Sequence, residues 1–217
     1  MGLIISALIG GSGGVASAQS GPIVNDPLTD PSLSTSWPQG QGPDDTGVSV
    51  TGAYSDDGFH LGLSASGAFS VHNQHLDAAL QAGGAFADQS IEVDARQVDG
   101  GGVNNSYGVV CRASTGAGAY YSLWVGSDGT AGIYKSVSVG TDRKPPVVLV
   151  HAEIPADTGY HLRADCTGNR LTLFVNGTKV AEAQDADVKS GGVGFFVSTN
   201  DAIGIDVAFT NLSISRA

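Results

Sequence analysis

Glu92 and Asp94 are the residues of this sequence best placed to do chemistry. They lie two apart in QSIEVDARQV (residues 89–98), where Ile91, Val93 and Ala95 alternate with Glu92, Asp94 and Arg96. Side chains alternate across a strand, so both carboxylates share one side of it. Two carboxyl groups about 5 Å apart can act as nucleophile and acid/base in glycoside hydrolysis. The same row also reads as an ion-paired polar stripe that includes Arg96, each pair contributing little. Glu153 and Glu182 are too distant along the chain to be argued into such a pair.

A second set of residues suits binding. In AYYSLWVGSDGTAGIYK (residues 119–135), Ser127-Asp128-Gly129 fits a three-residue hairpin loop with Gly129 left-handed at a bulge. That turn pairs Leu123 with Ile133 and Tyr121 with Lys135 on one face. Tyr120, Ser122, Trp124 and Tyr134 take the other. A one-residue slip would bury Trp124 and expose Leu123, and burying Leu123 with Ile133 is the more sensible core. If two sheets stack, one face gathers Arg112, Tyr120, Trp124, Tyr134, Arg163 and Asp165. Aromatic rings stack on sugar faces, and Arg and Asp hydrogen-bond hydroxyls or carboxylates, as a shallow polar ligand site requires. The alternative is that Trp124 and Tyr134 only cover the sheet as a cross-strand pair.

The remaining chemistry-bearing residues say less. His72 and His75 would face opposite sides of a strand, which does not suit a shared metal. His151 and His161 are isolated, and no hydrolase triad is supported. Cys111 and Cys166 each lie in an alternating strand, with Tyr107 and Val109 or Leu162 and Ala164 on the same apolar side. Either they pair, or they remain two buried thiols. A bond across their separation of 55 residues would stabilise by about 4 kcal/mol through loop-closure entropy. Asn-x-Ser/Thr sequons begin at Asn104, Asn176 and Asn211.

These side chains need a scaffold of strands. The chain has 217 residues, 14% of them charged, with 32 glycines and a net charge of −11. Low charge, abundant Gly and short Val/Ile/Thr/Tyr/Phe runs mark strands and turns. The acidity excludes a nucleic-acid partner, because no basic face can neutralise phosphates. Residues 3–9 form a short apolar run, and Ala16-Ser17-Ala18 fits signal-peptide cleavage, so residues 1–18 read as a signal peptide. No Lys or Arg precedes that run. Export would permit a disulfide, leave the mature chain without a membrane anchor and make it secreted.

Residues 19–25 read as a linker and 26–217 as one domain. Within it, 26–43 is turn-rich, with Trp37 as an apolar plug. Strands are expected at 58–63, 68–73, 89–98, 107–113, through the hairpin, and at 147–154. Residues 76–86 hold the one plausible helix. Gly168-Asn169 and Asn176-Gly177 turn the strands between 161 and 183, the latter a two-residue hairpin signal. Strands at 191–199 and 204–215 finish the chain. This spacing means an all-β, antiparallel two-sheet β-sandwich.

The series YGVVCRA, AYYSLWVGSDGTAGIYK, LRADCTGNRLTLFVNGTKVAEAQD, GGVGFFV and IDVAFTNLSI resembles the concanavalin A-like lectin/glucanase superfamily. It is most similar to laminin-G-like jelly rolls of the actinobacterial extracytoplasmic type. The resemblance implies two stacked sheets, one concave. It leaves lectin, glycanase and adhesion module open, since all share the fold. Retaining glycanases of the superfamily place Glu, Asp and a second Glu on one strand. Here Arg96 stands where the last should be, which argues against catalysis. Some jelly rolls hold a structural calcium, for which Asp26 or Asp30 near Asp206 would serve. No other cofactor is expected. The expectation is an exported, non-catalytic module binding a glycan or cell-envelope component. A glycoside hydrolase using Glu92 and Asp94 is the alternative, and a protein-interaction module the third reading.

Overall fold

The computed structural model describes residues 24–32, 37, 39–43, 48–65, 86–100, 105–113, 119–137, 146–199 and 204–217. The signal peptide expected at 1–18, the strand expected at 68–73 with His72, the nearby His75 and the helix expected at 76–86 lie outside these residues, except Phe86.

Among the described residues, strands alone form the regular structure. In chain order they are β1 (Val24–Asp26), β2 (Gly40–Pro43), β3 (Val48–Ser55), β4 (Gly58–Ala65), β5 (Gln89–Asp99), β6 (Asn105–Ala113) and β7 (Ala119–Gly126). There follow β8 (Thr130–Val137), β9 (Val147–Glu153), β10 (Gly159–Thr167), β11 (Arg170–Val175), β12 (Thr178–Gln184), β13 (Gly192–Thr199) and β14 (Ile205–Ser215). They build two antiparallel sheets. One has nine strands, ordered β12-β11-β10-β5-β14-β4-β3-β2, with β1 also on β14. The other has five, ordered β13-β6-β7-β8-β9. Val24 and Asn25, read as linker, pair with Ile214 and Ser213, so the sheet begins before residue 26.

The hairpins follow their turns. Leu123 lies opposite Ile133 and Tyr121 opposite Lys135, the register expected from Ser127-Asp128-Gly129. Asn176 and Gly177 both have positive φ (50° and 79°), as a type I′ turn demands. Alternation then sorts each strand. In β5, Gln89, Ile91, Val93 and Ala95 point into the core, while Ser90, Glu92 and Asp94 stay half-buried on the outside.

The core lies between the sheets. Phe195 of β13 stacks on Phe209 of β14 with centroids 4.2 Å apart, and Trp37 stacks on Phe195 at 4.3 Å, so Trp37 plugs the core as expected. Cys111 of β6 and Cys166 of β10 are both fully buried and form a disulfide. Because β6 and β10 belong to different sheets, this bond staples one to the other.

Candidate functional site

The residues expected on one face are divided between two. Tyr120, Trp124 and Tyr134 stand on the outer side of the five-stranded sheet. Arg163 and Asp165 stand on the outer side of the nine-stranded sheet, with the whole core between. Alternation within a strand was read correctly. Sheet membership of β7 and β10 separates the groups.

The aromatic half is also closed. Trp124 is only 3% exposed and packs with Val110, Ala113, Tyr120 and Phe196, with Tyr134 against the group. Its cross-strand neighbours are Gly108 and Gly132. A Cβ on Gly132 would fall 2.8 Å from the indole ring, so the ring fills space that the glycine leaves. Tyr134 and His151 close the cluster, the latter edge-on to both rings. Both faces of β7 are buried, and the choice between burying Leu123 and burying Trp124 does not arise.

Arg112 is not on a ligand face either. A bulge in β6 opposite Gly192–Gly194 gives it a positive φ of 55° and breaks the alternation. It is 1% exposed. Its guanidinium donates to the carbonyls of Ala87 (2.8 Å) and Val188 (3.1 Å) and pairs with Asp88 at 3.4 Å. A buried charge satisfied on every side in this way ties chain segments together.

The polar half is open. On the outer side of the nine-stranded sheet, His161 of β10 lies opposite Asp94 of β5, and Arg163 opposite Glu92. The His161 Nδ1 is 2.7 Å from an Asp94 oxygen, and its Nε2 is 3.8 Å from Glu92. The other Asp94 oxygen accepts from the Asn211 amide at 2.8 Å. A bulge in β14 between Thr210 and Ser213, with Asn211 at φ 56°, brings that amide to Asp94. Glu92 and Asp94 remain 45% and 43% exposed. They converge on one imidazole instead of standing free as nucleophile and acid. An imidazole so oriented can hold or pass a proton.

Arg96 turns away from both and pairs with Asp57 at 2.8 Å. Asp57 in turn meets His60 Nε2 at 2.9 Å, and His60 Nδ1 meets Asp206 at 2.9 Å. Burial pulls the His60 imidazole down, but the hydrogen bonds it donates to Asp206 and Asp57 outweigh it and raise its pKa above 6.5. Hydrogen bonds from Ser55 and His60 hold Asp57 well below the usual carboxylate range. Towards β11, the Arg163 guanidinium lies 3.7 Å over the Phe174 ring and pairs with Asp165, which accepts from Ser90. The ionic row is thus linked across strands, not along β5.

Among the described residues, this face carries two depressions. One, of about 330 Å³, is lined by Asp94, Arg96, Gly159, Tyr160, His161 and Thr210. The other, of about 410 Å³, is lined by Thr51, His60, Gly62, Asp99, Gly100 and Asp206. His161, Asn211, His60 and Asp57 were missed in the sequence. Alternation does put His161 beside Arg163 and Asp165, and Asp56-Asp57-Gly58 is a legible turn. The bulge that delivers Asn211 has no local signal.

A calcium site from Asp26 or Asp30 with Asp206 does not assemble. Asp26 pairs opposite Leu212, six residues along β14 from Asp206, and accepts from the Leu28 amide. Asp30 accepts from Ser32. Among the described residues no group of three or more His, Cys, Asp or Glu is placed to hold a metal. No helix among them is long and apolar enough to cross a membrane.

No family model matches the sequence, and no curated protein matches it. Solved structures do. A carbohydrate-binding module, CBM66 of Bacillus subtilis, superposes with a TM-score of 0.59 at 16% identity, over 82% of this chain and 99% of its own. A B. subtilis protein of unknown function with a galectin-like fold gives 0.61 at 12% identity, over 92% and 97%. A family 7 alginate lyase gives 0.51 at 12% identity, over 89% and 94%. With its two antiparallel sheets, the chain has the concanavalin A-like jelly-roll fold.

Proposed function

We propose that this protein binds a glycan across the outer face of the nine-stranded sheet, at the depression between Asp94, Arg96 and His161. One observation carries the reading. Here half-exposed charged groups surround a depression, each held in place by a neighbour, while the aromatic alternative around Trp124 is buried. Oriented carboxylates and guanidinium groups hydrogen-bond sugar hydroxyls without rearranging on binding. The fold's likeness to a carbohydrate-binding module supports the same class of ligand. We place the protein outside the cytoplasm, since a disulfide between the sheets suits an oxidising compartment. Cleavage after Ala18 is part of this proposal, and N-terminal sequencing of the exported protein tests it.

Calorimetry with soluble polysaccharides tests the site. Asp94→Asn and His161→Ala should each weaken binding by about tenfold with the fold intact. Unchanged binding in both would remove the ligand from this face. The Asp94–His161 pair also favours a second reading, a carbohydrate-active enzyme with His161 as the proton-transferring group. New reducing ends or unsaturated sugars, released by the protein but not by His161→Ala, would establish it.

A further inference from the structure

The two depressions share one face and one linkage. Arg96 lines the first and His60 the second, and Asp57 pairs with both. The first is centred between β10 and β5, the second between β14 and β4. Two strand spacings and about three residues of rise put their centres about 14 Å apart, farther than one sugar ring reaches.

Each depression has a strand glycine in its lining, Gly159 in the first and Gly62 in the second. Gly159 and Gly62 are ordinary strand positions without positive φ. A Cβ on Gly159 would meet the Arg96 side chain at 3.7 Å, and one on Gly62 would meet Asp206 at 3.6 Å. Neither backbone conformation nor close packing demands glycine here. What glycine leaves is room on the outer face.

The lining chooses the ligand's charge. Glu92, Asp94, Asp99, Asp165, Asp206 and Asp57 bring six carboxylates to this face or its rim, against Arg96, Arg163 and the imidazoles of His60 and His161. Both arginines are already engaged, by Asp57 and Asp165. At the wall of the second depression, Gly100 accepts from the amides of Gln97 and Asn105. The partly exposed carboxylates therefore offer acceptors and repel anions.

Resting on the glycan reading above, we infer that the two depressions are successive subsites for one oligosaccharide chain without acidic groups. Its sugars are neutral or basic, and its hydroxyl or ammonium groups donate to the carboxylates. Uronate and phosphate-bearing chains are excluded.

The test titrates the full chain with xylo-, cello- and fructo-oligosaccharide ladders, chitosan oligomers and oligogalacturonates. It runs beside Gly62→Val and Gly159→Val. Affinity for a neutral or basic ladder should rise with length and then level off. Gly62→Val should weaken the long oligomers by about tenfold while leaving the shortest binder unchanged. Gly159→Val should weaken every length. Circular dichroism checks folding, and Thr51→Tyr fills the second depression from β3 if valine at 62 unfolds the sheet. A ladder that binds equally well to wild type and both second-depression variants overturns the two-subsite chain and leaves the glycan reading standing. Tightest binding to oligogalacturonate overturns the charge selection. Failure of every ladder to bind overturns the glycan reading and this inference with it.

Discussion

The Trp124 ring occupies the space that a side chain on Gly132 would need, with Gly108 on its other flank. That makes it packing and not a ligand platform. Trp124→Ala should cost about 3–5 kcal/mol, the range for emptying a buried aromatic position, as read by urea denaturation. Glycan affinity at the opposite face should be unchanged in the folded fraction. At His60 the physics is ionic. Its imidazole contacts Asp206, Asp57 and Ser55, with Arg96 reached through Asp57. Because its folded pKa is raised above 6.5, its contribution to stability is complete below that pH. It is lost as pH climbs through the raised value. Wild type should lead His60→Gln in melting temperature at pH 6, and the lead should shrink on the alkaline side. A lead that grows with pH would contradict the ion-pair geometry.

At the scale of the strand, much was legible and the exceptions have a common cause. Ser127-Asp128-Gly129 and Asn176-Gly177 carry their own turn chemistry, so both hairpins were readable, the first with its register, while the second shifts register between Leu173 and Phe174. The alternation in β5 was readable for the same local reason. A bulge inserts one residue and reverses the alternation beyond it. The bulge at Arg112 turns an expected ligand contact into a buried clamp, and the bulge at Asn211 brings an unexpected amide to Asp94. The second device is testable. Asn211 holds φ 56°, where alanine is strained by about 1–2 kcal/mol and glycine is not. Asn211→Ala should therefore lower the melting temperature more than Asn211→Gly. Both should weaken glycan binding alike, because both remove the hydrogen bond that orients Asp94. If glycine retained full affinity, Asn211 would serve only the turn.

For the whole molecule, the decisive information is which strands share a sheet, and that is non-local. Trp124 and Arg163 each lie outward in their own strand, yet outward from β7 and outward from β10 are opposite directions. No periodicity along the chain encodes that relation. The pairing Cys111–Cys166 is the one long-range link the sequence made available, since two cysteines on apolar sides allow a single bond. Its place in the sandwich explains what it should do. It spans β6 and β10, so it joins the sheet that carries the polar face to the sheet that backs it. By loop-closure entropy its removal should cost about 4 kcal/mol. The polar row itself lies within the nine-stranded sheet, and none of its hydrogen bonds crosses the core. The double variant Cys111→Ala/Cys166→Ala should therefore unfold at markedly lower urea, yet bind glycan with unaltered affinity where it remains folded. Loss of affinity in the folded double variant would mean that the backing sheet sets the shape of the binding face.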